Sequence, residues 1–90
     1  MSGGICVCVC THDRPEGLSR LLRALVPQLL RAKASLVVVD NGTVASEPLV
    51  DALSNNVACT YARLGEPGLV AARNHALAQA IQTSPEFIAF

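Results

Sequence analysis

Gly4-Ile5-Cys6-Val7-Cys8-Val9-Cys10-Thr11-His12-Asp13-Arg14-Pro15 is the stretch that decides the fold. Seven small or apolar residues run without a break into four polar ones, and a proline follows. An apolar run without alternation is how a parallel strand reads when both of its faces are covered. In an open α/β sheet, ligands bind just outside the carboxyl ends of such strands. Thr11, His12, Asp13 and Arg14 stand at that end and mark the first candidate crevice. Pro15 and Glu16 suit the opening turn of a helix. The missing proline N–H would have gone unused there, and the carboxylate faces the positive end of the helix dipole.

Outward from this stretch, Leu18, Leu21, Leu22, Leu25 and Leu29 recur at the spacing of one helical face. They predict a helix over 15–26. Pro27 frees the carbonyl of Arg23 and predicts a bent continuation to about residue 32. Ser35-Leu36-Val37-Val38-Val39-Asp40 is a second unbroken apolar strand, closed by Asp40-Asn41-Gly42, a turn by its chemistry. Asp40 either presents a carboxylate to a cleft or serves that turn alone. Ser46, Glu47 and Pro48 open a short helix with Leu49, Val50 and Leu53 on its apolar side and Asn55-Asn56 as its stop. Residues 57–63 read as a third strand, the most polar and so an edge, with Cys59 and Tyr61 on one face. After a loop over 64–68, an alanine-rich helix is predicted from Leu69 to about Gln82, with Val70, Leu77 and Ile81 marking its buried side. Arg73, Asn74 and His75 fall in its first turns, where the dipole and free backbone amides favour anions. Phe87 to Phe90 begins a fourth strand.

This β-α-β-α-β-α-β alternation predicts an α/β fold, an open parallel sheet covered by helices on both faces. A strand order of 3-2-1-4 puts a topological reversal between the first and fourth strands, where a nucleotide is the expected ligand. Residues 1–90 have room for one small domain.

Composition narrows the function classes. The chain is 51% hydrophobic but only 3% aromatic, so its core is aliphatic. A formal net charge of zero offers no bulk attraction for nucleic acid or another polyanion. No apolar run reaches the roughly 18 residues of a membrane span. The N-terminus lacks a basic region and cleavage site, which makes a cytosolic (cytoplasmic) location the default. Membrane association through segments outside these residues stays open. Cys6, Cys8 and Cys10 alternate on one strand face, too far apart along it for a disulfide and at no zinc-site spacing. They read as small buried hydrophobes, as does Cys59.

Taken together, Val7-Cys8-Val9-Cys10-Thr11-His12-Asp13-Arg14-Pro15, Val37-Val38-Val39-Asp40-Asn41-Gly42-Thr43 and Gly68-Leu69-Val70-Ala71-Ala72-Arg73-Asn74 resemble the N-terminal, Rossmann-like half of a family 2 glycosyltransferase of the GT-A fold. Phe87-Ile88-Ala89-Phe90 is similar to the strand that in this family runs into an Asp-x-Asp motif. Three weak motifs in the right order, at the right ends of the right elements, carry the resemblance over nearly the whole chain.

The resemblance implies a nucleotide-diphosphate sugar as ligand, with the chain as a truncated nucleotide-sugar-binding subdomain. Thr11 would hydrogen-bond the base or ribose. His12 stands where the family often has an aromatic ring and would stack on the base. Asp40 would accept from the base imide N–H, favouring uridine or thymidine. Arg14 and Arg73 would reach the nucleotide or its diphosphate, and Asn74 would brace the preceding loop. Val44 and Ala45 depart from the usual polar and acidic continuation, which weakens ribose contacts from that loop.

Two further parts of the family's inverting mechanism are expected after Phe90: the Asp-x-Asp that holds Mn²⁺ or Mg²⁺, and the carboxylate base that activates an acceptor hydroxyl. These ninety residues by themselves are therefore expected to hold no catalytic residue or metal ligand and to transfer no sugar. The strand at Phe87–Phe90 would be an apolar edge open to self-association. Three rival readings remain. A receiver-like module needs a carboxylate cluster and a lysine. A dinucleotide-binding domain needs a Gly-x-Gly-x-x-Gly that is missing here. A non-catalytic interaction module of the same fold is not separated by strand and helix pattern alone.

Overall fold

The structure is a computed structural model that describes residues 4–43, 45–54, 56–65, 69–81 and 87–89. The elements follow the predicted alternation: β1 (Ile5–Thr11), α1 (Pro15–Ala32), β2 (Ser35–Asp40), α2 (Glu47–Leu53), β3 (Cys59–Arg63), α3 (Leu69–Ile81) and β4 (Phe87–Ala89). All pairings are parallel, in the order β3-β2-β1-β4. β3 is an edge, as expected. β4 ends the described sheet on the other side, so the strand expected to pair with another copy does lie at an outer edge. Phe90 falls outside the described residues.

The unbroken apolar strands are covered twice. On one face Cys6 and Cys8 pack with Val37, Val39 and the alanines of α3, with Cys10 partly buried beside them. On the other, Leu36 and Val38 pack with Leu18, Leu22 and Leu29 of α1 and Val50 of α2. All four cysteines are free thiols. Burial, reinforced by neighbouring Cys6, pushes the Cys8 thiol up to about 12, and its Sγ lies 3.8 Å from the Ala76 carbonyl oxygen. Such a thiol is inert and packs as a small hydrophobe.

Several local expectations change. α1 runs as one helix of 18 residues through Pro27 and ends at Ala32, where the continuation was expected to end. Pro27 and Arg23 both lie on the exposed face, where water can serve the carbonyl that proline leaves unpaired. Leu18, Leu22 and Leu29 are buried, but Leu21 is largely exposed. α1 closes on Lys33 in the left-handed region (φ 54°), whose N–H and that of Ala34 return to the carbonyls of Leu30 and Leu29. Ser46 stands at the start of α2 but makes no side-chain cap. The helix ends at Leu53, where Ser54 donates both N–H and Oγ to the Val50 carbonyl. Of the predicted stop, Asn55 lies outside the described residues.

The largest correction concerns α3. Val70, Leu77 and Ile81 do not face the core: they are 73%, 39% and 59% exposed. Ala72, Ala76 and Ala80 are buried instead. Both stripes recur at helical spacing, and the small one wins because methyl groups let the helix axis lie close over Cys6, Cys8, Val37 and Val39. An Ala76→Leu change should therefore cost about 1–3 kcal/mol by overpacking, whereas Val70→Ala should stay within about 0.5 kcal/mol. Urea unfolding of the two variants checks this, and the reverse ranking would mean that α3 presents its other face.

Candidate functional site

Register places the site. Thr11 pairs with Asp40, and Asp40 pairs with Arg63, so three polar residues form a row across the carboxyl ends of β1, β2 and β3. β1 pairs with β2 as far as Thr11, but with β4 only over Ile5–Val7. Beyond Val7, the β4 side of β1 is open among the described residues, at the point where strand order reverses.

A cleft of about 660 Å³ occupies that position. Its polar rim is Thr11, His12 and Arg14 from the end of β1 and Asn41 from the end of β2. Its walls are Val9, Leu18 and Leu21 on the α1 side and Cys10 and Ala72 on the α3 side. The exposure of Leu21 is thus explained, since it lines the cleft and not the core. Arg73 follows Ala72 on α3 and is exposed. Burial raises the Cys10 thiol, and the positive charge of Arg73 acts against that rise.

The two strand-end loops are latched together. The Asn41 N–H donates to the Thr11 carbonyl at 3.1 Å. His12 Nδ1 lies 3.0 Å from the Asn41 carbonyl oxygen and 3.3 Å from its Oδ1, so the Nδ1–H tautomer would donate to this loop. Asp13, with φ of 49°, accepts from the Thr43 N–H at 2.8 Å and the Thr43 hydroxyl at 3.0 Å. Gly42 makes that approach possible. A Cβ on it would stand 2.5 Å from Asp13 Oδ1 and 2.7 Å from the Asp13 backbone nitrogen.

Asp40 does not line the cleft. Its side chain is fully buried. Oδ1 accepts from the Gly42 N–H at 2.9 Å. Oδ2 accepts from the Ser46 N–H at 2.8 Å and the Tyr61 hydroxyl at 2.6 Å, with Arg63 Nη1 at 3.5 Å. Burial alone would raise this carboxyl, but the donors from Tyr61, Gly42 and Ser46 outweigh it and hold the group below its usual range. The Asp40 oxygens, for which a contact with a base N–H was expected, face the protein donors Gly42, Ser46 and Tyr61 in this structure.

Of the other expected residues, Thr11, His12 and Arg14 come together on the rim, while Arg73 is exposed on α3 next to the lining residue Ala72 and does not itself line the cleft. Asn74 is exposed, and residues 66–68, which include the loop it was expected to brace, lie outside the described residues. Asn41, Tyr61 and Arg63 are site residues that sequence reading passed over. Asn41 was legible as the neighbour of Asp40 at a strand tip. Nothing local signals the part of Tyr61 and Arg63, which depends on a strand pairing 23 residues away.

Among the described residues no group of three or more His, Cys, Asp or Glu stands together to hold a metal ion. Asp40 is occupied by protein donors and Asp13 by Thr43, so these residues build no site for the divalent metal that the resemblance implies. No helix among the described residues is long and apolar enough to cross a membrane.

The sequence profile described as Glycosyl transferase family 2 matches residues 6–90, and the chain belongs to that family. No curated protein and no solved structure gives a significant match.

Proposed function

We propose that this member of Glycosyl transferase family 2 binds the nucleoside diphosphate of a nucleotide-sugar donor in the cleft at the reversal of strand order. The observation that carries the reading is the convergence of Thr11, His12, Arg14 and Asn41, from two strand ends, on one cleft of nucleotide size. Asn41 takes the base-reading role first expected of Asp40. Its amide offers one acceptor and one donor side by side, which complements the adjacent N–H and carbonyl of uracil or thymine. The His12 ring, held by its Nδ1 against the Asn41 loop, offers a face for stacking. Arg14 and Arg73 supply charge-assisted donors to the diphosphate.

In this reading the chain is the donor-binding part of an inverting transferase that passes a sugar to an acceptor hydroxyl. The metal and the base of that reaction come from outside the described residues. The chain's own contribution is to bind and orient the nucleotide. Calorimetric titration with uridine diphosphate tests this. Saturable binding is expected, weaker by about 1.5–3 kcal/mol in Arg73→Ala or Arg14→Ala, the scale of a hydrogen bond to a charged group. Adenosine diphosphate should bind less well than uridine diphosphate. Absence of binding, or undiminished affinity in both arginine variants, would remove the nucleotide from this cleft.

A further inference from the structure

The Asp40 carboxylate is the hub of a construction that reaches from the cleft to the far edge of the sheet. Its partners come from three places: Gly42 in the loop, Ser46 at the start of α2, and Tyr61 and Arg63 on β3. Arg63 spans two of these elements, with Nη1 near Asp40 Oδ2 and Nη2 donating to the Gly42 carbonyl at 2.9 Å. The Ser46 N–H is shared between Asp40 Oδ2 and the Tyr61 oxygen at 3.0 Å. The loop that carries Asn41 into the cleft is thus held from behind by two side chains that do not line it.

We infer that Tyr61 and Arg63 are positioning residues for donor binding: through Asp40 and Gly42 they set the place of the Asn41-Gly42-Thr43 loop. The inference rests on the nucleotide reading of the cleft. Its physical basis is that a loop with few internal bonds takes its position from whatever anchors it, and pre-organisation before the ligand arrives is what raises affinity. Neither residue touches the nucleotide in this account. The titratable groups facing the hub are Tyr61 and Arg63 from β3 and, across Gly42, Asp13 from the loop after β1. The Tyr61 hydroxyl donates to the carboxylate and Arg63 stands 3.5 Å from it, and both favour its charged form. Losing the Tyr61 hydroxyl therefore moves protonation of Asp40 toward neutral pH.

Tyr61→Phe and Arg63→Lys separate position from stability. The Tyr61 ring packs against the Val38 and Val50 side of the core, and phenylalanine keeps that packing. Lysine keeps the charge of Arg63 but replaces the planar fork, whose two nitrogens face Asp40 and Gly42 separately, with a single ammonium. Uridine diphosphate affinity is measured by calorimetry from about pH 3 to about pH 7, which lie roughly on either side of the carboxylate range. Amide exchange at Gly42 and Ser46 is followed by NMR in the free chains. Tyr61→Phe should raise Kd about tenfold, the loss of one hydrogen bond to a charged group, speed exchange at both amides, and move the acid limb of binding toward neutral pH. Arg63→Lys should raise Kd by a smaller factor. Faster exchange with wild-type affinity and an unmoved acid limb would make the two residues structural only and overturn the inference. Unchanged exchange would overturn it as well, because the loop would not be held by them. If the unaltered chain binds no uridine diphosphate, the nucleotide reading itself fails and this inference falls with it. That outcome is distinct from the other two.

Discussion

An Asp40→Ala chain is expected to lose about 3–5 kcal/mol of stability, the scale for removing one partner from a buried charged cluster. A domain of this length holds roughly 5–13 kcal/mol in total, so urea unfolding should show the midpoint falling by a large fraction. The loss arises from what is left behind. Alanine strips the acceptor from the Gly42 N–H and the Tyr61 hydroxyl at once and leaves the Ser46 N–H with the Tyr61 oxygen alone, around a carboxylate position that is fully buried. Arg63 suffers less, since its side chain is 41% exposed and water can replace the carboxylate.

Asp40→Asn separates charge from shape. Its amide oxygen can still serve Ser46 and Tyr61, but its NH₂ then meets the Gly42 N–H, donor against donor. It should cost less than alanine. It should also flatten part of the acid dependence. The folded Asp40 carboxyl lies below its reference value of 3.8. Its stabilisation is therefore complete above the unfolded value and is lost as pH falls below about 4 toward the folded value. The loss of stability between pH 6 and pH 3 should be smaller in the Asn variant than in the parent, with pH 3 and 6 chosen to lie roughly on either side of the carboxylate range. An alanine variant with parental stability would show that the hydrogen bonds to Asp40 do not hold the loop. Binding measured on the Asn variant then distinguishes the two roles of Asp40. A contact with the base would be lost at every pH, whereas a hub for the loop leaves residual affinity that follows the loop's order.

The second large effect is expected at Gly42. Gly42→Ala should cost about 1–3 kcal/mol, as overpacking does, and should weaken uridine diphosphate binding by at least about tenfold. The added methyl would meet a carboxylate oxygen at 2.5 Å and a backbone nitrogen at 2.7 Å. A backbone atom cannot rotate away, so one loop must retreat from the other, and the Thr43–Asp13 bonds go with it. Gly65→Ala is the control. A methyl group there would have no heavy atom within 4 Å, and the Gly65 φ is ordinary, so the change should alter stability by less than about 0.5 kcal/mol. Parental stability and binding in Gly42→Ala would mean that the two strand-end loops are not in contact.

Much of this molecule follows from order along the chain. The unbroken apolar run through Cys6 and Val9, its repeat at Leu36–Val39, and the helical spacing of Leu18, Leu22 and Leu29 determine a parallel sheet between helices. Right-handed crossovers fix the hand of each connection, and the order 3-2-1-4 is the one the sheet adopts. Strand polarity puts Thr11, His12, Arg14 and Asn41 at one end, because the carboxyl end of a strand is where its loop begins. Tertiary structure decided what periodicity leaves degenerate. α3 carries two apolar stripes, and only the distance to the sheet selects Ala72, Ala76 and Ala80 over Val70, Leu77 and Ile81. At the tip of β2, chain order shows a carboxylate and its amide neighbour but not which of them turns inward. That choice was made by β3, whose Tyr61 and Arg63 supply donors to Asp40 and so leave Asn41 to the cleft. Gly42 reads locally as a turn residue, yet the requirement for it is the approach of Asp13 from another loop. Local spacing encodes which residues share an element, whereas burial of a polar group depends on partners that only folding brings within about 3 Å.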